Sequence, residues 1–198
     1  MRTRDTDKEQ LVKSKAIEQI VKDGFQGFSM NKLAKACNIS VATLYIYYKD
    51  KDDLIKKLGE EIGYVFYTSS MKDFSPALPF AEGLWKQWQN RAAFAMENPM
   101  EVACFEIIKH SPHAEEIFKA SAYMQEFRQC MKEFVHNALA NKELVHLQME
   151  TFWSIAYGPL YILLNFHREG KSMGGKPFTL TNDMLKEAFS AVIKSLTP

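Results

Sequence analysis

The chain has 198 residues, 46% of them hydrophobic, with a formal net charge of +1 at pH 7 and three cysteines. This length suits one or two domains and can bury a sizeable core, whereas the low net charge by itself identifies no partner. Three cysteines without a C-x-x-C pair fit a reducing cytoplasm better than a disulfide scaffold, and the charged N-terminus is not that of a signal peptide. The longest apolar run, 155–164, is about half of what a membrane span needs. We therefore expect a cytoplasmic protein that does not bind membranes.

The N-terminal segment has a helical pattern. The first residues, as far as Asp7, are polar and predict a solvated tail. A helix is predicted from Asp7 to Lys22, because apolar residues recur there at helical spacing. Its predicted buried stripe consists of Ala16, Ile17, Ile20 and Val21. Gly24 is well placed to end this helix in a left-handed conformation.

The stretch 29–54 predicts two short helices joined by a tight turn. Ser29 and Ser40 are candidate N-caps, since their hydroxyl oxygens can accept hydrogen bonds from the free N–H groups that open a helix. Asn38 suits the turn because its short polar side chain tolerates unusual backbone angles. The second helix points Leu44 inward and leaves Ala42, Thr43, Tyr45 and Tyr47 outside. A short helix that buries little and displays such residues is typical of the reading half of a helix-turn-helix.

Charge is distributed unevenly along the chain. Residues 1–58 carry 12 Lys+Arg against 8 Asp+Glu, a net +4, and the remainder carries 13 against 16, a net −3. The basic excess lies in the same segment as the helix-turn-helix, as phosphate binding requires. An excess of this size does not by itself establish DNA binding.

The rest of the chain also reads as helices. A fourth helix follows Asp50, its candidate cap, with an apolar stripe of Leu54, Leu58, Ile62, Val65 and Phe66. Gly59 and Gly63 inside it indicate close packing or bending, since each costs about 1 kcal/mol relative to alanine. After a break at 75–79, five more helices are predicted at 80–97, 99–109, 112–140, 143–168 and 181–196. With about nine helices and no strand pattern, we expect an all-α fold.

Two motifs carry a family resemblance. The sequence G-F-Q-G-F-S-M-N-K-L-A from Gly24 to Ala34, followed by V-A-T-L-Y-I-Y-Y-K-D-K-D-D-L from Val41 to Leu54, resembles the N-terminal domain of the TetR (tetracycline-repressor-like) family of transcriptional regulators. Three residues depart from those frequent in the family: Ala42 (often Gly), Met30 (often Thr) and Tyr48 (often Phe). The resemblance implies a three-helix helix-turn-helix DNA-binding domain over 1–50 and a helical ligand-binding and dimerisation domain over 51–198.

Carried over by position, the resemblance implies DNA contacts for Ser29, Ser40, Val41, Ala42, Thr43, Tyr45, Ile46, Tyr47 and Lys51. Ser29 and Lys51 are expected on phosphate, and Tyr48 in the core. The reading helix has no Arg, Asn or Gln, the residues that bind G or A bidentately. We therefore expect Val41, Ala42 and Thr43 to read mainly thymine methyls, with a preference for A/T. Arg2 and Arg4 are expected in a solvated tail, with contact to the DNA backbone or minor groove as the alternative.

The C-terminal helices are rich in bulky apolar residues, most of which must be core. A subset is the hypothesis for an apolar pocket: Trp85, Trp88, Phe105, Phe127, Trp153, Tyr157 and Tyr161, with Asn165 or His110 as polar partners. Gly158-Pro159 is expected to break and kink the eighth helix and so to open space for a small apolar or amphipathic ligand.

The last two helices carry apolar residues that suit either internal packing or a second copy of the chain. The resemblance favours docking of this helix pair against its symmetry mate in a homodimer. The predicted interface consists of Leu160, Leu164, Leu185, Phe189, Val192 and Leu196.

No cofactor, metal or catalytic site is predicted. His110 and His113, with the nearby Cys104, Glu115 and Glu116, match no closed zinc spacing. The sequence has no Gly-rich phosphate loop, no G-x-S-x-G and no H-E-x-x-H, so we do not expect an enzyme. The favoured function is a homodimeric, ligand-responsive repressor that binds an inverted-repeat operator in double-stranded DNA. The alternatives are a constitutive DNA-binding or architectural protein without ligand, and a helical carrier or enzyme without sequence-specific DNA binding.

Overall fold

The computed structural model describes residues 2–119 and 121–198, with side chains from residue 7 onward. Within these ranges the chain forms ten α-helices and one 3-10 turn, and its β pairing is limited to an isolated bridge between Lys171 and Pro177. The all-α prediction is confirmed. Across the described helices, none has the length and apolarity to cross a membrane. The helices are α1 (Arg2–Gly27), α2 (Met30–Ala36), α3 (Val41–Tyr47), α4 (Lys51–Ser70), α5 (Phe80–Glu97), α6 (Pro99–Lys109), α7 (Ala114–Lys119), α8 (Ala122–Ala140), α9 (Met149–Glu169) and α10 (Asn182–Leu196).

α1 begins at Arg2, earlier than the predicted start at Asp7, so residues expected in a solvated tail are helical. The DNA contacts considered for Arg2 and Arg4 fall outside the described side chains. Apolar residues at helical spacing bury one face of the helix: Val12, Ala16, Ile17 and Ile20. Gly24 interrupts α1 with φ 64° and ψ −176°, a backbone region that is essentially restricted to glycine.

The chain divides into two compact units. The first unit comprises residues 1–65 and 98–121, and the second comprises residues 66–97 and 122–198. The first unit therefore contains α1 to α3, most of α4, α6 and α7, whereas the second contains the end of α4, α5 and α8 to α10. This grouping differs from a division after residue 50, because α6 packs against α1 within the first unit. The division at residue 50 into functional domains stays a prediction.

A glycine lets α4 pack closely on α6 and α7 in the first unit. A Cβ at Gly59 would lie 2.9 Å from Cγ2 of Ile108 and 3.0 Å from Cδ1 of Ile117. Close packing, one of the two reasons expected for this glycine, therefore accounts for it. The predicted apolar stripe of α4 is buried except at Val65, which is 43% exposed.

Two predicted helices of the C-terminal part have different bounds. The segment 112–140 forms α7 and α8 rather than one helix, and the helix predicted from Glu143 begins only at Met149. After α8, Lys142 has a positive φ of 59°, and the N–H of Glu143 donates to the carbonyl of Ala138 at 2.9 Å. Such a bond closes the end of a helix and turns the chain away from its axis, which the apolar periodicity does not reveal.

α9 continues through Gly158 and Pro159 as one helix, and the kink predicted at this point stays a prediction. Pro159 has no N–H to donate to the preceding turn. The indole N–H of Trp88, a fully buried side chain of α5, donates to the neighbouring carbonyl of Ala156 at 2.8 Å. A side chain from α5 thus hydrogen-bonds the turn that precedes the proline.

Candidate nucleic-acid interface

Short-range hydrogen bonds build the turn between α2 and α3. Ser29 accepts a hydrogen bond from the N–H of Lys32 at 3.4 Å, and Ser40 accepts one from the N–H of Thr43 at 3.1 Å. Asn38, between the helices, has φ 52°, a left-handed conformation that asparagine adopts more readily than most residues. The two predicted caps and the predicted turn residue are confirmed, and together they fix where α3 begins.

α3 buries one side chain and exposes most of its surface. Leu44 is fully buried, whereas Tyr45 is 52% and Ile46 is 78% exposed. Complete burial of an Ile side chain contributes about 1.5–3 kcal/mol to stability. Since Ile46 is mostly exposed, it contributes little of this to the stability of its own unit. The other α3 residues predicted to contact DNA are half-buried or exposed: Val41, Ala42, Thr43 and Tyr47. α3 therefore presents a surface of methyl and hydroxyl groups.

Tyr48 anchors the end of α3. Its side chain is 5% exposed, and burial raises the pKa of its hydroxyl to about 12 because the phenolate is disfavoured away from water. The ammonium of Lys57 lies 5.5 Å from the centroid of the Tyr48 ring and donates to the carbonyl of Tyr47 at 3.2 Å. The prediction that Tyr48 belongs to the core is confirmed. A lysine of α4 thus stabilises the C-terminal end of α3, where positive charge is favourable.

Lys51 ties the start of α4 to the chain that precedes α2. Its ammonium donates to the carbonyls of Phe25 at 2.7 Å and Phe28 at 3.2 Å, and it lies 5.7 Å from the centroid of the Phe28 ring. An ammonium has three N–H donors, so one remains for the phosphate contact predicted for Lys51. That contact stays a prediction.

Reciprocal hydrogen bonds open α4. The carboxylate of Asp50 accepts from the N–H of Asp53 at 2.8 Å, which confirms the predicted cap. The carboxylate of Asp53 accepts from the N–H of Lys49 at 2.9 Å and from the ammonium of Lys57 at 3.0 Å. These bonds, the one from the Lys49 backbone foremost, lower the pKa of Asp53. They fix the start of α4 directly after the reading helix.

The residues predicted at a dimer interface pack within one chain. All are buried or half-buried between α9, α10 and their neighbours: Leu160, Leu164, Leu185, Phe189, Val192 and Leu196. The ring of Phe189, for example, lies 4.8 Å from that of Trp85 and 5.3 Å from that of Trp88. The assignment of these six residues to a dimer interface stays a prediction. The exposed large apolar residues of the helix pair are Met149, at 52%, Ile162, at 56%, and Met184, at 41%.

Four of the predicted pocket residues lie around Arg91 of α5, which the apolar periodicity does not single out: Phe127, Trp153, Tyr157 and Tyr161. Arg91 is 1% exposed, and its Nη1 donates to the hydroxyl of Tyr161 at 2.8 Å. Its Cζ lies 4.8 Å from the Tyr157 ring centroid, which is 4.5 Å from that of Trp153. The burial of Arg91 is not evident from the sequence, because charged residues are ordinarily exposed.

The remaining pocket candidates have other surroundings. Trp85 and Trp88 pack on Phe189 of α10, and Phe105 is buried in the first unit. Neither of the two predicted polar partners, Asn165 and His110, has an observed hydrogen bond to Arg91. The amide of Asn165 donates to a carboxylate of α9 at 3.1 Å, and His110 bonds a carbonyl of its own helix at 2.8 Å.

The residues considered as metal ligands include two that form separate ion pairs and one that is buried. Nε2 of His113 lies 3.3 Å from a carboxylate oxygen of Asp52, and Glu116 pairs with Lys56 at 2.5 Å. Cys104 is fully buried, and burial raises the pKa of its thiol to about 12. In the described part of the chain, no group of three or more His, Cys, Asp or Glu side chains is arranged to hold a metal ion. The ion pairs connect α7 and its preceding turn to α4.

Known proteins resemble this chain in both sequence and fold. Residues 12–58 match the family described as "Bacterial regulatory proteins, tetR family". An uncharacterised HTH-type transcriptional regulator of Haemophilus influenzae is 30% identical over 119 residues, which cover 60% of this chain and 64% of that protein. The matched region thus spans less than two thirds of this relative.

Solved structures extend the likeness over nearly the whole chain. A TetR family transcription regulator from Marinobacter aquaeolei has a TM-score of 0.79 at 22% identity, covering 99% of this chain and 98% of that one. A TetR-family transcriptional regulator from Haemophilus influenzae has a TM-score of 0.74 at 23% identity, covering 98% and 99%. At these identities the two structures establish a shared fold.

Proposed function

By its N-terminal domain the chain belongs to the TetR family of bacterial regulatory proteins, and we propose that it is a homodimeric, small-molecule-responsive transcriptional repressor. It binds an inverted-repeat operator in double-stranded DNA and acts in the cytoplasm. Because the family consists of regulatory proteins, the expectation that the chain is not an enzyme is confirmed.

The exposed face of α3 carries this proposal. The major groove is about 12 Å wide and admits an α-helix, and Tyr45 and Ile46 are the exposed large apolar side chains of α3. The face offers methyl groups and hydroxyls but no guanidinium or carboxamide to bind G or A bidentately. Val41, Ala42 and Thr43 therefore read mainly thymine methyls, which gives the operator an A/T preference.

A dimer places two copies of α3 in successive major grooves on one side of the DNA, about 34 Å apart. The interface is assigned to the helix pair α9 and α10. Ile162 and Met184 are its candidate contacts, because they are exposed apolar residues on these two helices. The leucines buried between the helices support this face from within each chain.

α4 is the candidate transmitter between ligand and DNA. In the second unit its Phe66 ring lies 5.5 Å from Cζ of Arg91, and in the first unit its Lys57 bonds the last residue of α3. A ligand that binds more tightly to a state in which the two α3 helices are wrongly spaced for the operator weakens DNA binding. The ratio of its affinities for the two states sets the factor by which operator affinity falls. A ligand with equal affinity for both states has no effect.

Selection of binding sites from random duplex DNA tests the proposal. The wild-type chain should enrich an A/T-rich inverted repeat, whereas the double variant Tyr45→Ala, Ile46→Ala should enrich none. Both side chains are exposed, so the variant should fold as the wild type does. If the wild type enriches no sequence and shows only weak, salt-sensitive binding, α3 is not a reading helix and the proposed function fails.

A further inference from the structure

Arg91 is a buried charge without a carboxylate partner among the described residues. Its side chain is 1% exposed in the middle of α5, and none of the ion pairs of the described residues includes it. A guanidinium does not lose its proton in proteins, so it cannot escape the cost of burial by becoming neutral. Burial of an ion without a counter-charge is strongly unfavourable, and such an arrangement needs a reason.

The donors of the guanidinium are only partly used. Nη1 donates to the hydroxyl of Tyr161 at 2.8 Å and Nη2 to Oε1 of Gln87 at 3.4 Å, whereas Nε is buried with no acceptor among the described residues. Oε1 of Gln87 also accepts from the hydroxyl of Tyr157 at 2.6 Å. Burial raises the pKa of Tyr157, so this hydroxyl remains protonated and supplies no negative charge.

Aromatic rings surround the cation. Cζ of Arg91 lies 4.8 Å from the ring centroid of Tyr157, 5.5 Å from that of Phe66 and 5.7 Å from that of Phe127. Cation–π attraction lowers the cost of the buried charge but leaves the charge in place. Trp153 continues this wall, since its ring lies 6.1 Å from that of Phe127, and it is only half-buried. The wall therefore reaches from the cation to the surface of the second unit.

We propose that this cluster binds a small apolar monocarboxylate, whose carboxylate pairs with Arg91 and whose hydrophobic body lies against Phe127 and Trp153. A carboxylate fits the planar guanidinium bidentately and would use the unpaired Nε. One buried cation balances a single negative charge, and the aromatic wall suits an apolar body, whereas the second charge of a phosphate dianion would be buried without compensation. The effect of such a ligand on DNA rests on the function proposed above, whereas its binding does not.

Calorimetry on the full chain tests the proposal by comparing acids with their neutral amides: decanoate with decanamide, and cinnamate with cinnamamide. The wild type should bind at least one acid about tenfold or more tightly than its amide. Arg91→Met keeps much of the side-chain length without the charge and should lose this preference. Arg91→Lys keeps the charge without the planar fork and should show the preference at lower affinity. Arg128→Met, which removes an exposed arginine of the same unit, should behave as the wild type.

Thermal melting of the unliganded proteins separates ligand binding from a structural role. Arg91→Met should melt at the wild-type temperature or above it, because the variant removes a buried charge that lacks a counter-ion. If Arg91→Met does not fold, the acid–amide comparison in the wild type and in Arg91→Lys decides the question. Equal binding of acid and amide by the folded wild type, or no binding of either acid, overturns the proposal.

Operator affinity, measured with and without the bound acid, keeps the two proposals distinct. An acid that binds through Arg91 and weakens operator binding supports both. An acid that binds but leaves operator affinity unchanged retains the site and removes its regulatory role. A wild type that binds its operator but neither acid overturns the carboxylate site and leaves the DNA-binding function standing.

Discussion

Replacement of Gly59 by alanine tests the packing that holds α4 against α6 and α7. The added methyl group would lie 2.9 Å from Cγ2 of Ile108 and 3.0 Å from Cδ1 of Ile117. The Ile117 methyl is at the end of a flexible side chain and can rotate away. The Ile108 methyl is attached to a branched Cβ within a helix, where one χ1 rotamer is strongly preferred, so relief there requires a shift of the helix.

Two effects of opposite sign set the magnitude. In a helix interior alanine is favoured over glycine by about 1 kcal/mol, whereas overpacking of a core costs about 1–3 kcal/mol. We therefore expect Gly59→Ala to lower the free energy of unfolding by about 0–2 kcal/mol. The matched control is Gly59→Ala in an Ile108→Ala background, where the clashing methyl group is absent and the gain in helix propensity is the same. In that background Gly59→Ala should cost less or stabilise the chain by up to about 1 kcal/mol.

Urea unfolding followed by circular dichroism measures the effect of Gly59→Ala in both backgrounds. Since the gain in helix propensity is common to the two, the difference of about 1–3 kcal/mol between these effects reports the clash with Ile108. Ile108→Ala removes the methyl that clashes, so Gly59→Ala should cost less in that background than in the wild type. If the effects of Gly59→Ala and Ile108→Ala simply add, the packing argument is refuted.

Three further predictions address stability, DNA binding and pH. Lys51→Met leaves two backbone carbonyls without their donor and should cost about 1–3 kcal/mol in urea unfolding; an unchanged midpoint would show that these bonds contribute nothing. Ile46→Ala should change stability by less than about 0.5 kcal/mol but weaken operator binding about tenfold, measured by fluorescence anisotropy. Met173→Ala, which removes an 81% exposed side chain outside α3, should change neither, and equal effects of the two variants would contradict the assignment of α3. Because burial raises the pKa of the Cys104 thiol to about 12, the unfolded chain loses this proton first as pH rises, and stability falls. Between about pH 9 and pH 10 the wild type should lose about 1 kcal/mol more than Cys104→Ala, whereas parallel pH profiles would show that the thiol is not protected.

The helix-turn-helix could be predicted from sequence because its determinants act over a few residues. Ser29, Ser40 and Asp50 bond N–H groups three positions ahead, and Asn38 determines only its own backbone conformation. The chemistry of each residue type is therefore sufficient to identify it. The choice of exposed residues on α3 follows from the same local geometry, since one buried leucine fixes the orientation of a short helix.

The C-terminal part depends on contacts between residues that are far apart in sequence. Apolar periodicity shows that Leu164 and Val192 are covered, but internal packing and a second copy produce the same pattern. Arg91 lies on the buried side of α5, whereas charged residues are ordinarily exposed. The rings that surround it come from α4, α8 and α9, so its role becomes visible only in the folded chain.

The affinity of the selected operator with single thymines replaced by deoxyuridine tests most directly whether α3 reads thymine methyls. Each replacement removes one methyl group and leaves the hydrogen bonds of the base pair unchanged. Burial of such a group contributes about 0.8 kcal/mol, so binding should weaken about fourfold at each contacted thymine. We expect these losses at symmetric positions of the two half-sites, and smaller ones with Val41→Ser, which lacks the apolar contact. Uniform affinity across all replacements, or discrimination carried by guanines instead, would contradict the assignment of α3 as a methyl-reading helix.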